Sequence, residues 1–305
     1  MKKVLIIALT LVIVLLIVDY ANAPEAEDVN SGDDKLVALS TFTIIADMVS
    51  AVGGDRIESI SLTKPGAEIH GYQPTPDDLV QASKADVLFE NGMNLEIWTE
   101  KLRAGLPDMP SVIVSEGVEV VSISEDAYAG KPNPHAWMSP KQGLVYVENI
   151  RQALSDLDPE NAEYFAENAK EYSAKIQAVD VELSEALSKL PEDNRYLVTC
   201  EGAFTYLTKD YGLSEVYLWA INSDAQGSPQ QVAKVINVVK EKIPAVFCES
   251  TVAPKIQQEV VAATNAKLGG VLYVDSLSAT NGPAPTYLAL LEYTAKTITD
   301  GLLGN

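Results

Sequence analysis

Asp158–Pro191 reads DPENAEYFAENAKEYSAKIQAVDVELSEALSKLP, and its spacing organises everything around it. Ala162, Phe165, Ala166, Ala169, Tyr172, Ile176, Val179, Leu183, Leu187 and Leu190 recur at steps of three or four. That repeat gathers side chains on one face of an α-helix. Asp158-Pro159 supplies an N-cap and a proline at the first helical position, and Pro191 ends the run. At ~1.5 Å per residue such a helix extends roughly 50 Å, enough to run the length of a two-lobed molecule. Alanine and tyrosine at several face positions argue against a coiled coil.

Outward from this helix, short β-rich runs alternate with helical stretches. Upstream lie Leu36–Ser40, Ile57–Leu62, Asp86–Phe89 and Val112–Val114; downstream lie Tyr196–Cys200, Glu215–Leu218, Ala245–Cys248 and Val271–Val274. Alternation of this kind predicts parallel sheets covered by helices. The expectation is an α/β fold of two lobes, 36–157 and 192–305, each a mostly parallel four-stranded sheet flanked by helices. Residues 158–191 join them as one long spine helix. Three helix starts repeat one device: Thr75-Pro76, Ser139-Pro140 and Ser228-Pro229 each place a hydroxyl before a proline. Gln142 and Gln231 stand at the third helical position, where they would complete capping boxes.

At the N-terminus, Lys2 and Lys3 precede an apolar run from Val4 to Val18, and Ala21-Asn22-Ala23 follows. This is the pattern of a secretory signal over residues 1–23. As a helix the run covers about 22 Å, short of the roughly 30 Å hydrocarbon core. Pro24 disfavours cleavage and no cysteine lies nearby for lipid attachment, so the segment is read as a signal peptide or an uncleaved N-terminal membrane anchor. Either way the body is expected to be extracytoplasmic. Residues 24–35 read as a flexible acidic spacer.

Lys and Arg total 22 against 43 Asp and Glu, a formal charge of −21, which argues against nucleic acid as a partner. A negative field favours a cation, although an acidic surface also serves plain solubility. Apolar residues make up 47% of the chain, ample for a full core. Export permits a disulfide between Cys200 and Cys248. Each ends an apolar run, and buried strand cysteines acting as small hydrophobes satisfy the pattern as well.

The protein has two histidines, and both lie in loops rich in proline and glycine: Lys64-Pro-Gly-Ala-Glu-Ile-His70-Gly-Tyr-Gln-Pro74 and Lys131-Pro-Asn-Pro-His135-Ala-Trp-Met-Ser-Pro140. Neutral imidazole is the commonest side-chain ligand for first-row transition metals. In the second lobe, Glu201 follows Tyr196–Cys200 and Asp275 follows Val271–Val274. Ligands of parallel sheets bind beyond the carboxyl ends of strands. Two acids at two such ends repel unless a cation sits between them. Glu249 also ends a strand and is an alternative donor.

Several ordered landmarks surround these four residues. They are Pro65-Gly-Ala-Glu-Ile-His70 with Tyr72 and Pro74-Thr-Pro, then Ala85-Asp-Val-Leu-Phe-Glu-Asn-Gly92 and Asn133-Pro-His135-Ala-Trp137. Glu201-Gly-Ala-Phe-Thr-Tyr206, Gln226-Gly-Ser-Pro-Gln-Gln231 and Tyr273-Val-Asp275-Ser follow. In this order, over roughly residues 36–303, the chain resembles the metal-ion solute-binding proteins of ABC importers, the cluster A-I receptors for zinc, manganese and iron. The resemblance implies two α/β lobes joined by one long helix, and it assigns His70, His135, Glu201 and Asp275 as ligands of one divalent metal. It also implies a membrane permease as partner, a monomeric receptor and no enzymatic activity. The chain departs from many members in lacking a lipidated cysteine, and from many zinc receptors in lacking a His-rich loop before His135. A secreted metal hydrolase is disfavoured, because the chain has no His-Glu-x-x-His motif and four protein ligands leave little room for substrate.

Two imidazoles and two carboxylates make a harder donor set than three imidazoles and one carboxylate. Carboxylates favour Mn(II) and Fe(II), whereas zinc prefers a tetrahedral site richer in nitrogen or sulfur. Manganese is therefore the expected cargo, with zinc or iron as alternatives. A zinc-specific receptor of the same family and a metal-stabilised adhesin are the competing functions.

Overall fold

The computed structural model describes residues 35–106, 109–222 and 227–304. The signal segment expected over 1–23 and the spacer expected over 24–35, apart from Lys35, lie outside the described residues. Among the described residues no helix is long and apolar enough to cross a membrane.

Strands β1 (Leu36–Ser40), β2 (Ile57–Ser61), β3 (Val87–Glu90) and β4 (Ser111–Ile113) form one sheet in the order β2-β1-β3-β4. All its pairs are parallel. Helices α1 (Thr43–Gly53), α2 (Pro76–Ala82) and α3 (Thr99–Gly105) lie in the connections. In the central strands Ala38, Leu39, Val87, Leu88 and Phe89 are fully buried, so both faces of the sheet are covered.

Helix α4 (Pro140–Leu157) leads into the spine, α5 (Ala162–Leu187). The face the spacing predicts is the one that is buried: Phe165, Ala169, Tyr172, Ile176, Val179, Leu183 and Leu187. It packs on α4, on α1 and on the last helix, α9 (Tyr287–Leu303). Both ends are shorter than the spacing predicts. Pro159–Asn161 form a 3-10 turn, in which the Asp158 carboxylate accepts from the Asn161 side chain instead of capping the backbone. At the other end Leu190 N–H bonds to Leu187 O, a tighter turn that buries Leu190 outside the regular helix. With 26 residues the helix is about 39 Å long.

The second half carries β5 (Tyr196–Glu201), β6 (Ser214–Trp219), β7 (Ala245–Glu249) and β8 (Lys267–Leu272), with α6 (Thr205–Tyr211), α7 (Pro229–Lys242) and α8 (Lys255–Ala262) between them. Its strands are also parallel, but they hydrogen-bond as two pairs, β5 with β6 and β7 with β8. β5 and β7 lie side by side, so the layer follows the same order as the first sheet, β6-β5-β7-β8. At the seam the ladder is replaced by two other links. Cys200 and Cys248 form a disulfide with their Cα atoms 4.9 Å apart, and Glu201 N–H donates to Glu249 Oε2 at 3.1 Å. The cysteines are thus bonded rather than merely buried.

β8 begins four residues before the run Val271–Val274 suggests. Its first four residues, Lys-Leu-Gly-Gly, lack the β-branched and aromatic side chains that announce a strand. A Cβ on Gly269 would meet the Phe247 ring at 2.5 Å, so only glycine lets β8 lie this close to β7. Two of the three helix caps form as read. Thr75 closes its box with Asp78, and Ser228 with Gln231. The box expected at Ser139 and Gln142 does not form, because both side chains turn to Asp210 Oδ2, at 2.6 and 3.0 Å, and tie α4 to α6.

The two halves share a continuous core. Trp137 Nε1–H donates to Val274 O, Tyr287 O–H donates to Trp137 O, and Leu277 N–H donates to Thr43 Oγ1. These are buried links between distant parts of the chain, and they fix the segment after β8 and the start of α9 against Trp137 and the start of α1.

Candidate metal centre

His70 sits on the loop between β2 and α2. Ile69 before it is fully buried, and its carbonyl accepts from Trp98 Nε1–H at 3.1 Å. Glu68 turns back on the loop and accepts the N–H groups of His70 (2.8 Å) and Gly71 (3.1 Å). The loop that carries the imidazole is therefore held by Glu68, two residues away, and by Trp98, past β3 in the chain. His135 opens the 3-10 turn Ala136–Met138 and is fully buried. Asn133 sets its ring. The Asn133 amide nitrogen donates to Gly202 O and Thr205 Oγ1, which turns Oδ1 toward His135. There Oδ1 accepts the backbone N–H at 3.1 Å and Nδ1–H at 2.8 Å. With its proton on Nδ1, the Nε2 lone pair is free for a metal.

Glu201 is the last residue of β5, and Asp275 stands three residues past the end of β8. Both are fully buried. Glu201 Oε1 accepts Asn222 N–H at 2.5 Å. Asp275 Oδ2 accepts from Asn222 Nδ2 at 3.0 Å and from Thr251 Oγ1 at 3.2 Å. The other oxygens, Glu201 Oε2 and Asp275 Oδ1, have no hydrogen-bond partner among the described residues. Buried carboxylate oxygens without a donor are costly unless a cation satisfies them.

The structure brings all four residues to one point. One donor atom from each lies within 4.8 Å of the others. The two Nε2 atoms are 3.1 Å apart. Glu201 Oε1 is 3.4 Å from His70 Nε2 and 3.6 Å from His135 Nε2, and Asp275 Oδ1 is 3.7 and 3.9 Å from them. Donors ~2.1 Å from one tetrahedral ion stand ~3.4 Å apart, so the spacing suits a single transition metal. Glu249 is not in this set. It lies behind Glu201, accepting its N–H, and burial next to Glu201 pushes its carboxyl far above the usual range.

The electrostatics describe a site that wants positive charge. Burial pushes the Glu201 carboxyl up to about 7, aided by Asp275 and opposed by His70. Burial likewise raises Asp275, against the pull of His70. Burial depresses the His70 imidazolium, but Glu201, Asp275 and Glu68 together outweigh it and carry His70 up to about 9. Burial and the neighbouring His70 hold His135 well below the ordinary value. At neutral pH a proton on His70 thus acts as the counter-charge of the acids, and a metal ion held by this ring would have to replace it.

A cavity of about 850 Å³ opens beside the site, lined by Met93, Lys131, Trp219, Ile221 and Asn222 among others. Of the four donors only His70 borders it, which makes His70 the side from which the centre is reached. Sequence reasoning did not single out Asn222 or Thr251. Both lie in irregular segments after β6 and β7, and nothing in a lone Asn or Thr there announces a contact with Asp275. Asn133 was visible two residues before His135, though only as a landmark.

Residues 39–301 match the family described as zinc-uptake complex component A, periplasmic (ZnuA). The iron-binding protein YfeA of Yersinia pestis is 52% identical over 268 residues, 88% of this chain and 86% of that protein. The manganese ABC transporter substrate-binding lipoprotein PsaA of Streptococcus mitis is 33% identical over 294 residues, 94% of this chain and 95% of that one. A manganese-bound periplasmic metal-binding protein from Candidatus Liberibacter asiaticus has a solved structure with a TM-score of 0.81 and 40% identity, covering 88% of this chain and 100% of that chain. The chain accordingly belongs to the ZnuA family, the extracytoplasmic metal-binding receptors of ABC importers.

Proposed function

We propose that this receptor captures one divalent transition-metal ion on His70, His135, Glu201 and Asp275 and delivers it to a membrane permease. The observation that carries the reading is the meeting of two aimed imidazoles with two buried carboxylates that each keep an unpartnered oxygen. The lobes are residues 36–157 and 192–305, the spine segment 158–191 links them, and each contributes two ligands. Capture exchanges the His70 proton for a divalent metal, so the charge of the buried site rises by one unit rather than two on loading. Binding without chemistry fits the donor set, since four protein ligands leave no open position for a metal-activated water.

The cargo is manganese. Glu201 supplies a second carboxylate, and its oxygens can raise the coordination number above four, which suits Mn(II) better than Zn(II). Iron is the second reading, favoured by the 52% identity to an iron-binding relative. Affinity in the tube rises toward zinc regardless of cargo, so the decisive test is uptake. Cells carrying the intact importer should accumulate manganese only when this protein is present. Zinc uptake that depends on the protein, without manganese or iron uptake, would overturn the assignment. Glu201→His should shift binding preference toward zinc by about tenfold or more, because it restores a nitrogen-rich set. An unchanged ratio of zinc to manganese affinity would count against Glu201 as the selecting ligand.

A further inference from the structure

Asn222 lies three residues past β6 and is 4% exposed. Among the described residues it is bonded to both site carboxylates at once. Its backbone N–H donates to Glu201 Oε1 at 2.5 Å, and its Nδ2 donates to Asp275 Oδ2 at 3.0 Å. Its own orientation is dictated from the other side, because Trp219 Nε1–H donates to Asn222 Oδ1 at 2.7 Å. An indole N–H can only donate, so the amide oxygen must face Trp219 and the amide nitrogen must face Asp275. Nδ2 also reaches Thr251 Oγ1 at 3.4 Å, and that hydroxyl donates to the same Asp275 oxygen at 3.2 Å. One oxygen of each carboxylate is thereby pinned, while Glu201 Oε2 and Asp275 Oδ1 have no hydrogen-bond partner among the described residues.

We infer that Asn222 is a positioning residue for metal capture, a neutral donor that holds both carboxylates ready and limits Asp275 to one coordinating oxygen. The inference rests on the reading of Glu201 and Asp275 as ligands. The residue type follows from the charges around it. A lysine here would neutralise the acids and compete with the cargo. An aspartate would add a third buried negative charge and could not donate. The side-chain amide draws Asp275 into place and the backbone N–H draws Glu201, both with partial charge alone, and so the negative charge is left to the metal. Trp219 acts at one remove, by forbidding the flipped amide that would point its oxygen at Asp275.

The test is a titration of metal-free protein with Mn(II) at fixed pH in wild type, Asn222→Ala, Trp219→Phe and the double variant, with Asp275→Ala alongside. Asn222→Ala should weaken binding by about 10–100-fold, the usual cost of losing a partner that orients a ligand. Trp219→Phe keeps the ring and should cost about threefold to tenfold. If it acts through Asn222, it should add nothing in the Asn222→Ala background. The electron paramagnetic resonance line shape of saturated Mn(II) should also change in Asn222→Ala, as the released Oδ2 joins the metal. Should Asn222→Ala fail to fold, the loss in Trp219→Phe carries the test. Binding by Asn222→Ala within threefold of wild type, full additivity of the two losses, or an unchanged line shape would each overturn the inference. If Asp275→Ala loses binding while Asn222→Ala keeps it, this inference alone fails. If Asp275→Ala keeps binding, the site reading beneath it fails.

Discussion

The two sides of the candidate metal centre are built by different means. The imidazole side is aimed by near neighbours: Asn133, itself held by Gly202 and Thr205, sets the ring of His135 from two residues away, and Glu68 holds the His70 loop from two residues away. The carboxylate side is assembled at long range. Glu201 is held by Asn222, 21 residues on, and backed by Glu249, 48 residues on; Asp275 is held by Asn222 across 53 residues. Near neighbours suffice for the histidines because a ring needs only to be pointed. Two buried carboxylates must be pointed and also kept from separating, which calls for donors from several elements and for a rigid seam beneath them. The disulfide at Cys200, next to Glu201, lies in that seam.

The largest expected effect breaks the long-range side. Replacing Cys200 and Cys248 by serine removes a cross-link across 48 residues. Its loss should lower stability by about 4 kcal/mol on a chain-entropy estimate. Urea denaturation of the metal-free protein measures this. A loss under about 1 kcal/mol would mean that the core and the two outer ladders hold β5 against β7 without the bond.

A second effect engages both sides through one proton. His70 is carried up to about 9 and Glu201 up to about 7, so both keep protons in the metal-free protein that a metal must displace. Apparent affinity should fall by at least about a hundredfold from pH 8 to pH 6, near tenfold per unit for each proton displaced. Calorimetry in buffers of different ionisation heat should count about one proton released near pH 8. The sign for stability is the reverse. Both groups bind protons more tightly in the folded metal-free protein than in the unfolded chain. Their contribution is therefore complete below about pH 4 to 6 and is lost as pH rises through 7 and 9. Metal-free protein should weaken toward alkaline pH while its affinity for metal grows. A flat affinity over this range would contradict displacement of a proton from His70.

Some of this was open to inspection in the residues themselves. The spine helix declares itself because its buried face repeats every three or four positions, and the parallel strands because they are short apolar runs between capped helices. His70 and His135 stand out as two histidines in two Pro/Gly loops, and the acids by standing at strand ends. What stays hidden depends on contacts between distant residues or on side chains that are missing. The start of β8 is masked by Gly269 and Gly270. The pairing of Cys200 with Cys248 depends on which strands become neighbours. Ser139 and Gln142 read as a cap until Asp210, on another helix, claims both side chains. Asn222 has no sequence signal because its function comes from two partners that only folding brings to it.

The smallest effect separates the two sides most cleanly. Glu201→Gln removes one of two repelling buried charges and keeps an acceptor for Asn222, so the metal-free protein should melt higher. His70→Ala removes the counter-charge and leaves both acids, so it should melt lower. Each shift should be roughly 2–4 °C, corresponding to about 1 kcal/mol in a domain of this order of size. Differential scanning calorimetry at pH 7 after chelation decides it, and shifts of the same sign would show that the acids do not strain the metal-free site.

On the proposed function, four side chains from the two halves act as one metal site. The most direct measurement is calorimetric titration with Mn(II) at pH 7.5 of four single variants, His70→Ala, His135→Ala, Glu201→Ala and Asp275→Ala, each checked for an unchanged far-ultraviolet circular dichroism spectrum. Every one of them should bind at least about a hundredfold more weakly than wild type, the top of the range for losing a partner that only orients a ligand. Wild-type affinity in any two of the four would contradict the proposed function.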